Sequence, residues 1–279
     1  LALGSTLVAA CGVESDHYGS PLVPSQPNTN ELDDPWSVVR VVDGDTFDMV
    51  KAGVEETVRM KGIDTPELNR AGRQVSLNHL GENVTTREEA EGVKSSYINE
   101  VRALHKAGID GNVSIKLTQL GLDLDRALCE QLTMEIAAAA KELGRSIEID
   151  MEGTAYTDVT LDIFEAVRRR FDDVCLAIQA YLHRSEKDIE RLAPLRPKLR
   201  LVKGAYREPP NLAIQKKSGV DAAYRRLLEK LLDGRFFPAI ATHDLAMQEF
   251  ARGLIRERKI PPEKYEFQMI YGVRRDLQE

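Results

Sequence analysis

LRLVKGAY at residues 199–206 decides the fold. Leu199, Leu201 and Val202 make it a strand, and Gly204 closes it with a turn, yet Arg200 and Lys203 sit inside it. Working outward, similar runs recur as QVSLNHL (74–80), VSIKLTQL (113–120), SIEIDM (146–151), VCLAIQAYL (174–182), PAIATHD (238–244) and YEFQMIYG (265–272), their starts 25 to 39 residues apart. Helical stretches separate them. One opens at Thr85-Thr86 with Glu88 and Glu89 behind, a capping-box pattern, and carries Ala90, Val93, Tyr97, Val101 and Leu104 at 3- and 4-residue steps. Another covers roughly 123–143, with Leu124, Leu128, Leu132, Ile136 and Leu143 on one face. Strand alternating with helix implies a parallel sheet covered by helices. Seven strands favour a (β/α)8-type (TIM) barrel over an open doubly wound sheet. No GxGxxG opens a helix, which counts against a Rossmann dinucleotide site.

Polar residues inside such strands carry the functional reading. Strands of a parallel sheet are buried on both faces and should be almost wholly apolar. Lys116, Asp150, Glu152, Gln179, Arg200, Lys203, His243 and Glu266 nevertheless lie within the runs or at their carboxyl ends. One buried charge reads as a structural ion pair. Eight spread over successive strands predict a cleft at the carboxyl-end rim, where barrels build their sites.

The chain has 279 residues, 42% hydrophobic and 30% charged, with net charge −7, which excludes collagenous, disulfide-stapled and wholly disordered classes. The acidic balance argues against a nucleic-acid-coating protein, and no apolar run approaches the ~18 residues of a membrane span. Cys129 and Cys175 lie in apolar contexts and read as buried thiols. LALGSTLVAACG (1–12) is small and apolar and resembles a lipoprotein signal ending in its lipobox at Cys11, although no Lys or Arg precedes Arg40. Residues 13–35 are polar, acidic and proline-bearing, a tether by composition.

Residues 36–68 read as β-rich. SVVRVV and TFDMV flank Asp43-Gly44 as a hairpin, and EETVRMKGI (55–63) leads into Asp64-Thr65-Pro66-Glu67. Asp45 and Asp64 at strand ends suit a hard cation such as Ca²⁺, Arg59 a phosphoryl oxygen, and Glu67 a water. VVDGDTF (41–47) followed by VRMKGIDTPE (58–67) resembles the staphylococcal nuclease (thermonuclease) family, an OB-type barrel that cleaves phosphodiesters with Ca²⁺. The resemblance implies calcium carboxylates at Asp45 and Asp64, a phosphate-binding Arg59 and a base at Glu67. It covers some thirty residues, so this piece is expected to be a catalytically dead fragment.

LNHLGENV, SIKLTQLGLDL, IDMEG, QAYLHRSEKDI, LRLVKGAYREP, ATHD and YEFQMIYGVR, in that order along 73–279, resemble the proline dehydrogenase family. The resemblance implies a modified (β/α)₈ barrel with FAD at the strand carboxyl ends. It also implies oxidation of L-proline to 1-pyrroline-5-carboxylate, with electrons passed to a membrane quinone. By it Lys116 and Asp150 line the proline site, Arg200 stands beside the reactive flavin nitrogen, and Gln179 hydrogen-bonds the ring. Val202, Lys203, Gly204 and Ala205 run along the flavin, Thr242 and His243 match its pyrophosphate and adenosine side, and Tyr206 and Glu266 match further family positions. No metal is implied in the barrel.

The sequence departs from the family after its seventh strand. Relatives carry an eighth strand and a closing helix with an arginine pair for the proline carboxylate. Arg274 and Arg275 follow directly on YGV and do not take that role. The expectation is a barrel missing its last βα unit, with exposed edges on its first and seventh strands and impaired proline binding. The two resemblances imply opposite compartments: a cytoplasmic, membrane-peripheral flavoenzyme or an exported lipoprotein. The alternatives are a Ca-dependent nuclease and a non-catalytic fusion. A split at Arg73 leaves 279 − 72 = 207 residues, about seven barrel units of ~30 residues each.

Overall fold

The computed structural model describes residues 74–79, 84–270 and 273 in full. It also gives, as backbone alone, four earlier strands: β1 (Ser5–Cys11), β2 (Ser37–Val41), β3 (Thr46–Lys51) and β4 (Val54–Arg59). Seven further strands follow: β5 (Gln74–His79), β6 (Gly111–Ile115), β7 (Ile147–Ile149), β8 (Val174–Gln179), β9 (Lys198–Val202), β10 (Phe237–Ala241) and β11 (Glu266–Ile270). All are consecutive parallel neighbours. The helices between them are α1 (Arg87–Lys106), α2 (Arg126–Glu142), α3 (Thr157–Arg168), α4 (Ser185–Leu192), α5 (Lys217–Leu231) and α6 (Leu245–Glu257).

The sheet is not left open. β1 pairs parallel with both edges, Leu7 opposite Met269 of β11 on one side and Val75 of β5 on the other, so the strands close as an eight-stranded barrel. The expected exposed edges are therefore occupied, and by Ser5–Cys11. The physical reason is that two unpaired parallel edges demand backbone partners, and a small-residue, partly β-branched stretch is free to supply them. β2, β3 and β4 form a separate antiparallel sheet in the order β2-β3-β4, as the hairpin pattern predicts.

Local signals set the helices. Thr86 caps α1, accepting from the Glu89 N–H at 3.1 Å, while Glu89 Oε2 accepts from the Thr86 N–H at 3.2 Å. Ala90, Tyr97, Val101 and Leu104 then face inward and are buried. The second helix begins later than the apolar spacing suggests. Asp125 caps it by accepting from the Ala127 N–H at 2.8 Å, and this leaves Leu124 outside the helix and 44% exposed.

Strand side chains alternate strictly. Val113 and Ile115, Ile147 and Ile149, Leu199 and Leu201, and Phe267 and Met269 are buried beneath the helices. The residues between them, Ser114, Glu148, Arg200 and Gln268, point into the barrel and are also buried. The strands are thus apolar on one face only, and the lumen is polar. Cys129 and Cys175 are buried free thiols, as read from sequence, and burial pushes each up to about 12. Among the described residues no helix is long and apolar enough to cross a membrane.

Candidate active site

The carboxyl ends of β6 and β7 and the middle of β9 bring three sequence-predicted residues together. Lys116 is the first residue beyond β6, its backbone N–H 3.4 Å from the hydroxyl of Tyr97, which α1 buries. Asp150 is the first residue beyond β7, and its N–H donates to the Ile115 carbonyl at 2.9 Å. Arg200 lies in the middle of β9. Its register neighbours on both sides are alanines, Ala177 and Ala239, which leave the lumen room for a guanidinium. Lys116 Nζ donates to Asp150 Oδ2 at 2.6 Å, and Arg200 Nη1 donates to Asp150 Oδ1 at 2.8 Å. Asp150 is thus a shared counter-ion holding two cations at fixed spacing.

This trio is one end of a longer chain. Ser114 Oγ donates to Asp150 Oδ1 at 2.7 Å, and Arg200 also pairs with Glu148. Gln268 Nε2 donates to Glu148 at 2.8 Å and Glu266 at 2.7 Å, and Glu266 pairs with Lys198 at 2.8 Å. Lys116, Arg200 and Lys198 are matched by Asp150, Glu148 and Glu266, so the lumen carries charge without a net excess. Burial pulls the Arg200 guanidinium down to about 10, with Glu266 opposing. For Lys198, burial pulls downward most strongly of any single cause, but Glu266 together with Cys175 and Asp110 outweighs it, and the ammonium ends above its ordinary value. Sequence reasoning missed Ser114, Glu148 and Gln268. Each lies two residues from a charged residue it did identify, on the same strand face, so period-two counting would have found them. Glu266 lies within its strand run, as the sequence reading has it; it opens β11 at the amino-terminal mouth, where it serves as an ion-pair partner.

The other candidates border the rim. Gln179 ends β8, donates from Nε2 to the Glu152 carbonyl at 2.9 Å, and accepts from the Ala205 N–H at 3.4 Å. Glu152 is spent on Thr118, whose N–H donates to it at 3.1 Å. Val202 ends β9, and its carbonyl accepts from the Ala180 N–H at 2.8 Å. Lys203 Nζ lies between Asp221 at 2.5 Å and Asp244 at 2.6 Å. Lys203, with Lys217 behind it, holds the Asp244 carboxyl well below the usual range. Burial raises Asp221, but the same two lysines overcome it and leave it lowered. Gly204 adopts φ +118°, and a Cβ there would come within 2.1 Å of the Tyr181 ring, so only glycine fits. Gly204 and Ala205 are exposed and Tyr206 is half-buried.

Thr242 is buried, its Oγ1 accepting from the Asp244 N–H at 3.1 Å. His243 Nε2 accepts from the Ile270 N–H at 2.9 Å, which places the ring proton on Nδ1 in the neutral form. Asp45, Asp64, Glu67, Arg274 and Arg275 lie outside the described residues. Arg59 ends β4 opposite Thr46, with only its backbone described. Among the described residues no group of three or more His, Cys, Asp or Glu is placed to hold a metal ion.

Comparison with known proteins gives one consistent match. The family model described as proline dehydrogenase matches residues 64–279. Proline dehydrogenase 2 of Bacillus subtilis is 40% identical over 212 residues, covering 76% of this chain and 70% of its own. Proline dehydrogenase of Deinococcus radiodurans is 38% identical over 217 residues, again 76% and 70%. A crystal structure of proline utilization A from Bdellovibrio bacteriovorus, inactivated by N-propargylglycine, superposes with a TM-score of 0.67 at 25% identity. It covers 74% of this chain, and this chain spans 27% of that much longer protein.

Proposed function

The chain belongs to the proline dehydrogenase family, and from that premise we propose that it oxidises L-proline to 1-pyrroline-5-carboxylate with a bound FAD. The observation that carries this reading is the Lys116–Asp150–Arg200 constellation at the carboxyl-end rim. The oxidation removes a hydride from the ring carbon beside the proline nitrogen and a proton from that nitrogen, leaving a C=N bond. When bound, the flavin supplies the hydride acceptor.

The residues present fit such a cofactor. Arg200 Nε is buried without a partner, and Gly204, where a Cβ is sterically forbidden, is exposed together with Ala205. Arg200 and Gln179 would face the flavin ring, with Val202, Lys203, Gly204 and Ala205 alongside it. Thr242 and His243 would border its diphosphate and adenosine part. Lys116 is the cation for the proline carboxylate, held in place by Asp150, and Tyr206 closes the substrate side. Fixed charge in a water-poor lumen orients the substrate without reorganising during the reaction. Electrons leave to a membrane quinone, which requires peripheral membrane contact from the cytoplasmic side.

A dye-coupled assay of the flavin-loaded chain tests this. L-Proline should reduce the dye, and Lys116→Met or Asp150→Asn should cut the rate by about 100-fold or more, the cost of losing substrate alignment. Equal rates in both variants and the parent would remove these residues from the site.

A further inference from the structure

The opposite, amino-terminal mouth of the barrel holds a second concave site. A cavity of about 460 Å³ is lined there by residues that open β5 to β11 and by the loops leading into them. Its side chains are unusual for a barrel floor: Asn112, Arg145, Arg168, Arg196 and Lys198 all border it. Lys198 is neutralised by Glu266 at 2.8 Å, and among the described residues Arg145 pairs with Asp110 at 3.9 Å.

Three of the lining residues carry buried side-chain atoms without a hydrogen-bond partner. Asn112, 5% exposed, has its Oδ1 buried without a partner. So have Arg145 at Nε and Arg168 at Nη1. Buried polar atoms are costly when unpaired, more so when charged, and here donors and an acceptor border one cavity large enough for a ligand. Arg196 adds a further observation. It holds φ +46° at the left-handed end of a 3₁₀ turn, and its carbonyl accepts from Arg168 Nη2 at 3.3 Å, which fixes the Arg168 guanidinium at the mouth beside the exposed Arg196.

We propose that this mouth binds a small anion carrying its own hydrogen-bond donor: a hydroxy- or amino-carboxylate, or a hydrogen phosphate. The guanidinium groups of Arg145, Arg168 and Arg196 take the anionic head, and Asn112 Oδ1 accepts from the ligand's donor. Asp172 and Asp173 on the rim repel ligands of high negative charge and keep the site to small ones. The site is spatially separate from the flavin site, because its lining comes from the opposite ends of the strands.

Titration calorimetry on the flavin-loaded full chain, with malate, succinate and inorganic phosphate as probes, tests the proposal. One saturable site is expected for malate or phosphate, and whichever binds identifies the anion class. Succinate, which lacks the donor, should bind about tenfold more weakly than malate. Arg168→Gln should weaken binding about tenfold. Arg196→Gly should weaken it too while the melting temperature holds or rises, because glycine relieves the positive φ; this variant keeps the test valid if Arg168→Gln unfolds. No saturable binding up to about 10 mM, or binding unchanged in Arg196→Gly, would overturn the site. Equal affinity for malate and succinate would overturn the role given to Asn112.

Discussion

Replacing Arg200 by methionine should destabilise the barrel by an amount the lumen network sets. Arg200 is 6% exposed and pairs with Asp150 at 2.8 Å and with Glu148, itself 1% exposed. Methionine keeps the bulk but leaves both carboxylates without that cation. Removing one partner of a buried pair costs about 3–5 kcal/mol. Asp150 retains Lys116 at 2.6 Å, and Glu148 retains Gln268 at 2.8 Å and Ser76 at 3.1 Å, so the low end, about 3 kcal/mol, applies. For a domain of this size that lowers the melting temperature by about 6–12 °C. Adding Glu148→Gln removes one stranded charge, so the double variant should be more stable than the sum of the two single changes, by about 1–2 kcal/mol. Urea unfolding followed by far-ultraviolet circular dichroism, on all four proteins with bound flavin, reads both effects. An Arg200→Met protein as stable as the parent, or strict additivity in the double variant, would refute the network.

Three further outcomes follow from other parts of the fold. Gly204→Ala should cost about 1–3 kcal/mol for its φ of +118°, and more for the Tyr181 clash, with reduced flavin content measured by absorbance. His79 lies 3.0 Å from Glu100, whose hydrogen bond raises the imidazole above 6.5 against the opposing effect of burial. Protonated His79 therefore stabilises the fold fully below 6.5, and that stability is lost as pH rises through the raised value. His79→Gln should flatten this part of the pH–stability curve, and an unchanged slope would exclude the pair. Leu7→Pro should lower the melting temperature, because a proline in a strand paired on both sides removes a ladder N–H, whereas no change would place Ser5–Cys11 outside the barrel.

What sequence reveals and conceals divides along physical lines. The cap of α1 was legible because Thr86 and Glu89 act within one turn. The alternation of strands and helices was legible because burial imposes its period locally. The run 113–120 was read too long: the strand stops at Ile115, and Gly121 in the left-handed region ends the 3₁₀ turn that follows. Apolar spacing does not mark such an exit. Lys116, Asp150 and Arg200 stood out because charge in a strand is rare, whereas Ser114 and Gln268 are unremarkable until the lumen brings them to Asp150 and Glu148. The closing role of Ser5–Cys11 was invisible, since its partners are Val75 and Met269, far along the chain, and its composition suits an export signal equally well. The mouth on which Glu266 falls was not legible, because an apolar run does not show where its strand begins.

Anaerobic addition of L-proline to the flavin-loaded chain measures the central claim most directly. Oxidation of proline by the bound cofactor predicts bleaching of the flavin band near ~450 nm. A flavin that dithionite bleaches but L-proline does not would contradict it.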